Sequence, residues 1–124
     1  MYDIAFDPAT RLLSMRLEGF WDIETLNRFA AELSALTERI ERHWNDYPIL
    51  SDSRGFSVQS VEVTAGFSRI MEVAVMRHRG PVAIVVGSRL NKLQVERSMM
   101  TDHLRVFLDI DEARAWLLEA SPSR

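Results

Sequence analysis

The sequence predicts a single-domain α/β sandwich: a mixed sheet of about five strands, opened by an antiparallel hairpin and covered by about four helices. Three observations lead there. Two period-two runs, Tyr2–Phe6 and Leu12–Leu17, come first. A long stretch of helical spacing follows, from Asp22 to His43. Three short apolar runs, Tyr47–Ser51, Val82–Val86 and Leu104–Leu108, then each precede a helix-like segment. Strands that alternate with helices imply parallel pairs with helices packed on the sheet.

Each element has a local reason. Tyr2, Ile4 and Phe6 alternate with Asp3, Ala5 and Asp7, and Leu13, Met15 and Leu17 alternate with Ser14, Arg16 and Glu18, the pattern of half-buried strands. Asp7-Pro8-Ala9-Thr10 between them is turn chemistry. Asp22 is a helix N-cap, and Ile23, Leu26, Phe29, Ala30, Leu33, Leu36, Ile40 and Trp44 form one apolar stripe behind it. Tyr47–Ser51 reads as a buried strand, with Asp52–Ser57 as the loop beyond it. The next helix starts near Ser57 or Ser60 and runs to about Met76, with Val63, Phe67, Ile70 and Ala74 on its core face. Gly66 inside that helix implies close packing against a neighbour. Arg77-His78-Arg79-Gly80 is a helix ending, with cations at the negative pole and glycine as an αL cap. The continuously apolar Pro81–Val86 segment fits a central strand covered on both faces. Gly87-Ser88 opens a modest helix with Leu90, Leu93 and Met100 toward the core. Asp109-x-x-Glu112 resembles a capping box before a closing helix whose apolar side is Ile110, Ala113, Trp116 and Leu117. The domain is expected over residues 1–120, with 121–124 as a frayed tail.

Composition narrows the function. The chain of 124 residues carries a net charge of −3, which argues against a nucleic-acid partner. It has no cysteine, which excludes disulfides and thiol chemistry and suits a cytoplasmic setting. No apolar run is long enough for a membrane helix, so no membrane association is expected. His43, His78 and His103 lack metal spacing, and no nucleophile elbow, dinucleotide fingerprint or phosphate loop occurs. The expectation is therefore a non-enzymatic protein with no metal and no cofactor. Gly87-Ser88-Arg89, with Lys92, is a weak anion-binding pattern, and Ser88 reads first as a helix cap. Trp21, Trp44 and Trp116, at element ends, read as packing anchors. The segment beyond the third strand is the main candidate for a ligand or partner site, because ligands bind at strand carboxyl ends in open α/β sheets. Its residues are Asp52, Ser53, Arg54 and Ser57, with Ser51 and Ser60 at its ends.

The opening hairpin, Glu18-Gly19-Phe20-Trp21 before a long helix, and the Tyr47–Gly55 segment resemble the STAS superfamily. Val106-Phe107-x-Asp109-x-Asp111-Glu112-Ala113-x-Ala115-Trp116-Leu117 is most similar to its SpoIIAA-like, or STAS/SEC14-like, branch. The resemblance spans about Tyr2 to Leu118 and implies a regulatory or protein-interaction module. Members of that family carry an Asp-Ser-Ser-Gly motif whose phosphorylated serine matches Ser60, whereas Gln59, Val61 and Glu62 depart from the other three positions. Other relatives of the branch are similar to lipid-carrier folds. The alternative expectation is accordingly a binder or carrier of a small apolar or anionic ligand between helices and sheet.

The helix from Ser60 to Met76 has more apolar surface than one face requires: Val61, Met71, Val75 and Met76 lie beyond its core positions. They are the expected interface of a two-fold homodimer. The same excess would favour a ligand if it lined a cavity and a protein partner if it faced solvent.

Overall fold

The hairpin forms as the alternation requires. In the computed structural model, which describes residues 1–98 and 102–120, β1 (Tyr2–Asp7) pairs antiparallel with β2 (Leu12–Gly19) in the register Tyr2↔Leu17, Ile4↔Met15 and Phe6↔Leu13. The Asp7 carboxylate accepts from the Ala9 amide at 2.9 Å, and Arg11 takes a left-handed φ of 59° to close the turn. Gly19 leaves β2 at φ 81°, a conformation that glycine adopts without strain.

Helix α1 (Ile23–Glu41) starts at Asp22, whose side chain accepts from the Thr25 amide at 2.8 Å. β3 (Ile49–Phe56), α2 (Val61–Arg77), β4 (Val82–Val85), α3 (Arg89–Ser98), β5 (Leu104–Phe107) and α4 (Ile110–Ala120) follow. The sheet order is β1-β2-β3-β4-β5, parallel everywhere except in the opening hairpin. Ser88 Oγ caps α3 at the Asn91 amide, and Asp109 Oδ1 caps α4 at the amides of Asp111 and Glu112.

Register sorts the core into two layers. Leu13, Ile49, Val82 and Leu104 align across neighbouring strands, as do Met15, Ser51, Ile84 and Val106. This face is covered by α1 and α2 and, at the β4–β5 end, by Val95 of α3. The opposite face presents Leu50, Ala83 and Val85 to Ala113 and Leu117 of α4. Toward β1 that second face turns polar, where Arg16 pairs with Asp3 at 2.8 Å.

Several expectations need correction. Asp52–Phe56 is strand, because β2 is long enough to pair Glu18 with Gly55 and Gly19 with Phe56 past a bulge between Arg16 and Glu18. Gly80 is no αL cap: α2 ends at Arg77 with His78 as its extended C-cap, and Gly80 sits where the carbonyls of Asp46 and Tyr47 leave no room for a Cβ. Leu90 and Leu93 face solvent, since α3 is short and touches the sheet edge through Val95. Met71 is only 5% exposed and belongs to the core rather than to an outer surface. Met100 and the tail 121–124 lie outside the described residues, as does the side chain of Val75.

Candidate functional site

The layer between α1, α2 and the sheet is filled at one end and hollow at the other. At the filled end Trp21, 1% exposed, is surrounded by Tyr2, Phe29, Phe56 and Phe67, with ring centroids 4.9 to 6.3 Å away. Its indole N–H donates to the Glu18 carbonyl at 3.0 Å, and its main-chain N–H donates to Gln59 Oε1 at 2.7 Å. Gln59 also donates to the Gly19 carbonyl at 2.8 Å, which ties the start of α2 to the exit of β2. Beside this cluster, a Cβ on Gly66 would come within 2.6 Å of Leu26 Cδ2, so the two helices touch there because the residue is glycine. Trp21 is a packing anchor, as its place at an element end suggests.

Further along, α1 turns small residues toward α2. Ala30, Ser34 and Thr37 face Ile70, Val73 and Ala74 across a cavity of about 380 Å³. Its floor is Leu13, Met15, Ile49, Ser51 and Val82, and Met71 lines it from above. Arg69, Arg77 and Glu41 complete the lining, with Arg77 Nη2 3.9 Å from Glu41 Oε1. Glu41 also accepts from the Tyr47 hydroxyl at 2.9 Å. Burial and that carboxylate together push the Tyr47 phenol far above its ordinary range, so it stays a neutral donor.

Two of the polar residues that line this space, Ser51 and His78, are buried. Ser51 has Ser53 Oγ at 3.4 Å. His78, 6% exposed, has no partner of ordinary hydrogen-bond geometry on either ring nitrogen, and the Tyr47 main chain is the polar group nearest to serving as one. Its imidazole packs edge-on to Tyr47, with centroids 4.6 Å apart, and lies 6.4 Å from the His103 ring. Burial lowers the His78 pKa from 6.5 to about 4. His103 adds to the lowering, while a hydrogen bond with the Tyr47 main chain and the charges of Glu41 and Asp46 act in the opposite sense. The imidazole is therefore neutral near pH 7.

The residues expected to form a site divide among several places. Asp52 and Arg54 lie on one strand and pair with each other at 2.8 Å, which holds the Asp52 carboxyl below its usual range. Arg54 also feels Asp109 and Asp111, and its carbonyl backs onto Gly87, so the Asp52–Arg54 pair and the Gly87–Ser88 turn share the strand ends. Ser88 Oγ is used as a cap there. Ser53 points toward Ser51. Ser57 is exposed, and its amide donates to the Gly19 carbonyl at 3.3 Å. Ser60 caps α2 at the Val63 amide at 3.2 Å. Val61 and Met76 are 86% and 84% exposed, about 22 Å apart along the helix axis, so they form no single patch.

A second cavity of about 470 Å³ follows edge strand β5, lined by Lys92, Glu96, Arg105 and Glu112 among others, with Lys92 and Glu96 already paired at 3.2 Å. Among the described residues, no group of three histidine, aspartate or glutamate side chains is placed to hold a metal ion, and no helix is long and apolar enough to cross a membrane. The chain matches no protein-family model and no curated protein.

The sequence signal for the cavity is a second stripe on α1, Ala30, Ser34, Thr37 and Glu41, lying beside the large apolar one. The arginine neighbours of His78 make it look in the sequence like part of a charged helix ending.

Proposed function

We propose that this protein is a non-enzymatic binding module that holds a small, mainly apolar ligand between α1, α2 and the sheet. The observation that carries this reading is the cavity itself: about 380 Å³, apolar in most of its lining, with a few polar groups converging on it. That volume lies at the lower end of the roughly 300–1,000 Å³ typical of ligand pockets, which also share this lining chemistry. Met71, part of the apolar excess of α2, lines the cavity, which favours a ligand over a partner surface. Naphthalene titrated into ¹⁵N-labelled protein should shift the amides of Leu13, Ala30, Ser51 and Ala74, and Ala74→Trp should abolish those shifts. Shifts absent from wild type, or retained in Ala74→Trp, would overturn the reading.

A second reading, regulation through a protein partner, draws on the STAS resemblance and on a different place in the molecule. Phe20, Ile23, Val58 and Val61 are all exposed where the β2 exit meets the start of α2, joined by the Gln59 hydrogen bonds. Exposed apolar side chains on these neighbouring segments suit an interface, and a second copy of the chain is the simplest occupant. Light scattering should then show a dimer at micromolar concentration and a monomer for Phe20→Asp/Val61→Asp. A monomeric wild type would rule this dimer out.

A further inference from the structure

We infer that the cavity takes a small amphiphile with one negative charge, an apolar body ending in a carboxylate, and that Arg69 holds the carboxylate at the mouth. This rests on the cavity reading and adds the chemical class of the ligand. Leu26 lies against Gly66 and Glu41 against Arg77, so α1 and α2 run side by side in the same direction. Arg69, Val73 and Arg77 then follow one another at i+4 spacing along the α2 rim, all three exposed and all three lining the cavity. The two guanidinium groups have different surroundings. Arg77, at one end of the mouth, faces Glu41. Arg69 stands about 12 Å away along the helix axis, level with the turn of α1 that carries Ala30. Its Nη2 lies 4.0 Å from where a Gly66 Cβ would point, toward Leu26, so the side chain is turned to the α1 side of its helix.

Charge selects the class of ligand. The charged residues of the lining are Glu41, Arg69 and Arg77. Glu41 is already engaged: it accepts from the Tyr47 hydroxyl at 2.9 Å and has Arg77 at 3.9 Å. Among the described residues, no carboxylate lies within ion-pair distance of Arg69. The lining therefore has an excess of one positive charge, in a chain whose net charge is −3. A carboxylate matches that excess, and a guanidinium can donate to both of its oxygens side by side. A phosphate monoester would bring a second negative charge toward Glu41, and an ammonium group would meet Arg69 as a like charge. Inward from Arg69, Leu33, Ile70 and Met71 supply the apolar surface that covers the body of the ligand.

Three probes of matched shape test this: 2-naphthoate, 2-naphthamide and 2-naphthylmethylammonium, titrated calorimetrically and by NMR, with the main-chain signals of Leu13, Ala30, Ser51 and Ala74 and the arginine Nε–H groups observed. At low salt the carboxylate should bind wild type about fivefold more tightly than the neutral carboxamide, the worth of a solvent-exposed ion pair, and the cation should bind most weakly. High salt should shrink that preference. Only the carboxylate should move the Arg69 Nε–H resonance. Arg69→Met, a change at an exposed position, should bind carboxylate and carboxamide equally, and Arg69→Lys should restore part of the preference. Arg114→Met, which removes the same charge from α4 on the opposite face of the sheet, should leave the preference unchanged. If the carboxamide shifts the cavity signals but the carboxylate binds no more tightly, the inference is overturned and the cavity reading stands. A preference that survives in Arg69→Met would also overturn it. If none of the three probes shifts the cavity signals, both readings fall.

Discussion

The two ends of the α1–α2 layer are built on the same sheet face and differ in what fills them. At one end five aromatic rings pack together beside the close Gly66–Leu26 contact. At the other, Ala30, Ser34, Thr37 and Ala74 stand where large side chains would close the gap, and two polar residues, Ser51 and His78, are buried in the result. The second end is a pocket half open to solvent, with exposed Val73 and Arg77 at its rim, whereas the first is packed like an ordinary protein interior. The first end has the packing expected to carry stability, and the proposed ligand site is at the second.

That contrast is open to direct attack. The largest effect should come from Trp21→Ala, which removes the centre of the aromatic cluster and its indole hydrogen bond: a loss of about 3–5 kcal/mol in urea unfolding. A loss under about 1 kcal/mol would mean the filled end does not hold the fold together.

Next comes pH. The His78 pKa is near 4 in the folded chain against an ordinary 6.5, so between those values the unfolded chain binds more protons. Unfolding free energy should therefore fall as pH drops from about 6.5 to about 4, by up to about 3 kcal/mol, and this contribution should level off below that. Asp22 and Asp52, both with lowered carboxyl values, act separately, below their ordinary 3.8. Urea melts at pH 7, 5.5 and 4.5 would show the slope, and His78→Leu should flatten it.

A smaller and more pointed comparison uses one substitution at two alanines. Ala83→Leu on the α4 face, where Ala83 has no exposure, should cost about 1–3 kcal/mol by overpacking. Ala74→Leu, which grows into the cavity, should be neutral or stabilise by about 0.5–1 kcal/mol. If the two cost the same, the cavity collapses in solution.

The smallest effects should lie at the two ends of α2. Ser60→Ala removes the cap at the filled end and should cost about 1 kcal/mol. Arg77→Ala loosens a long, exposed ion pair at the hollow end and should change unfolding by less than about 0.5 kcal/mol. A larger loss for Arg77 than for Ser60 would make the rim pair a structural clamp.

How much of this the chain revealed in advance depends on the kind of signal. The hairpin, the long first helix and the cap residues Asp22, Ser60, Ser88 and Asp109 are local. They follow from alternation, helical spacing and side chains that reach nearby amides, so they could be read from neighbouring residues alone. Gly66 also signalled a close neighbour correctly, because a glycine within a helix is costly without one.

The errors are non-local. Asp52–Phe56 has the serine, arginine and glycine of a loop, yet becomes strand because β2 offers it a paired edge; its own propensity is overridden by backbone hydrogen bonds from elsewhere. Leu90 and Leu93 have the spacing of a core stripe but find no surface to cover. His78 has the neighbours of a solvated helix end and is buried because Tyr47, from a different segment, closes over it. The sequence by itself determined the elements, their order and the large side chains that drive collapse. Only the tertiary structure decided where the small residues of α1 would meet Ala74 of α2, and which polar side chains would be buried there. Periodicity records the face that a residue occupies, whereas a cavity depends on what stands opposite.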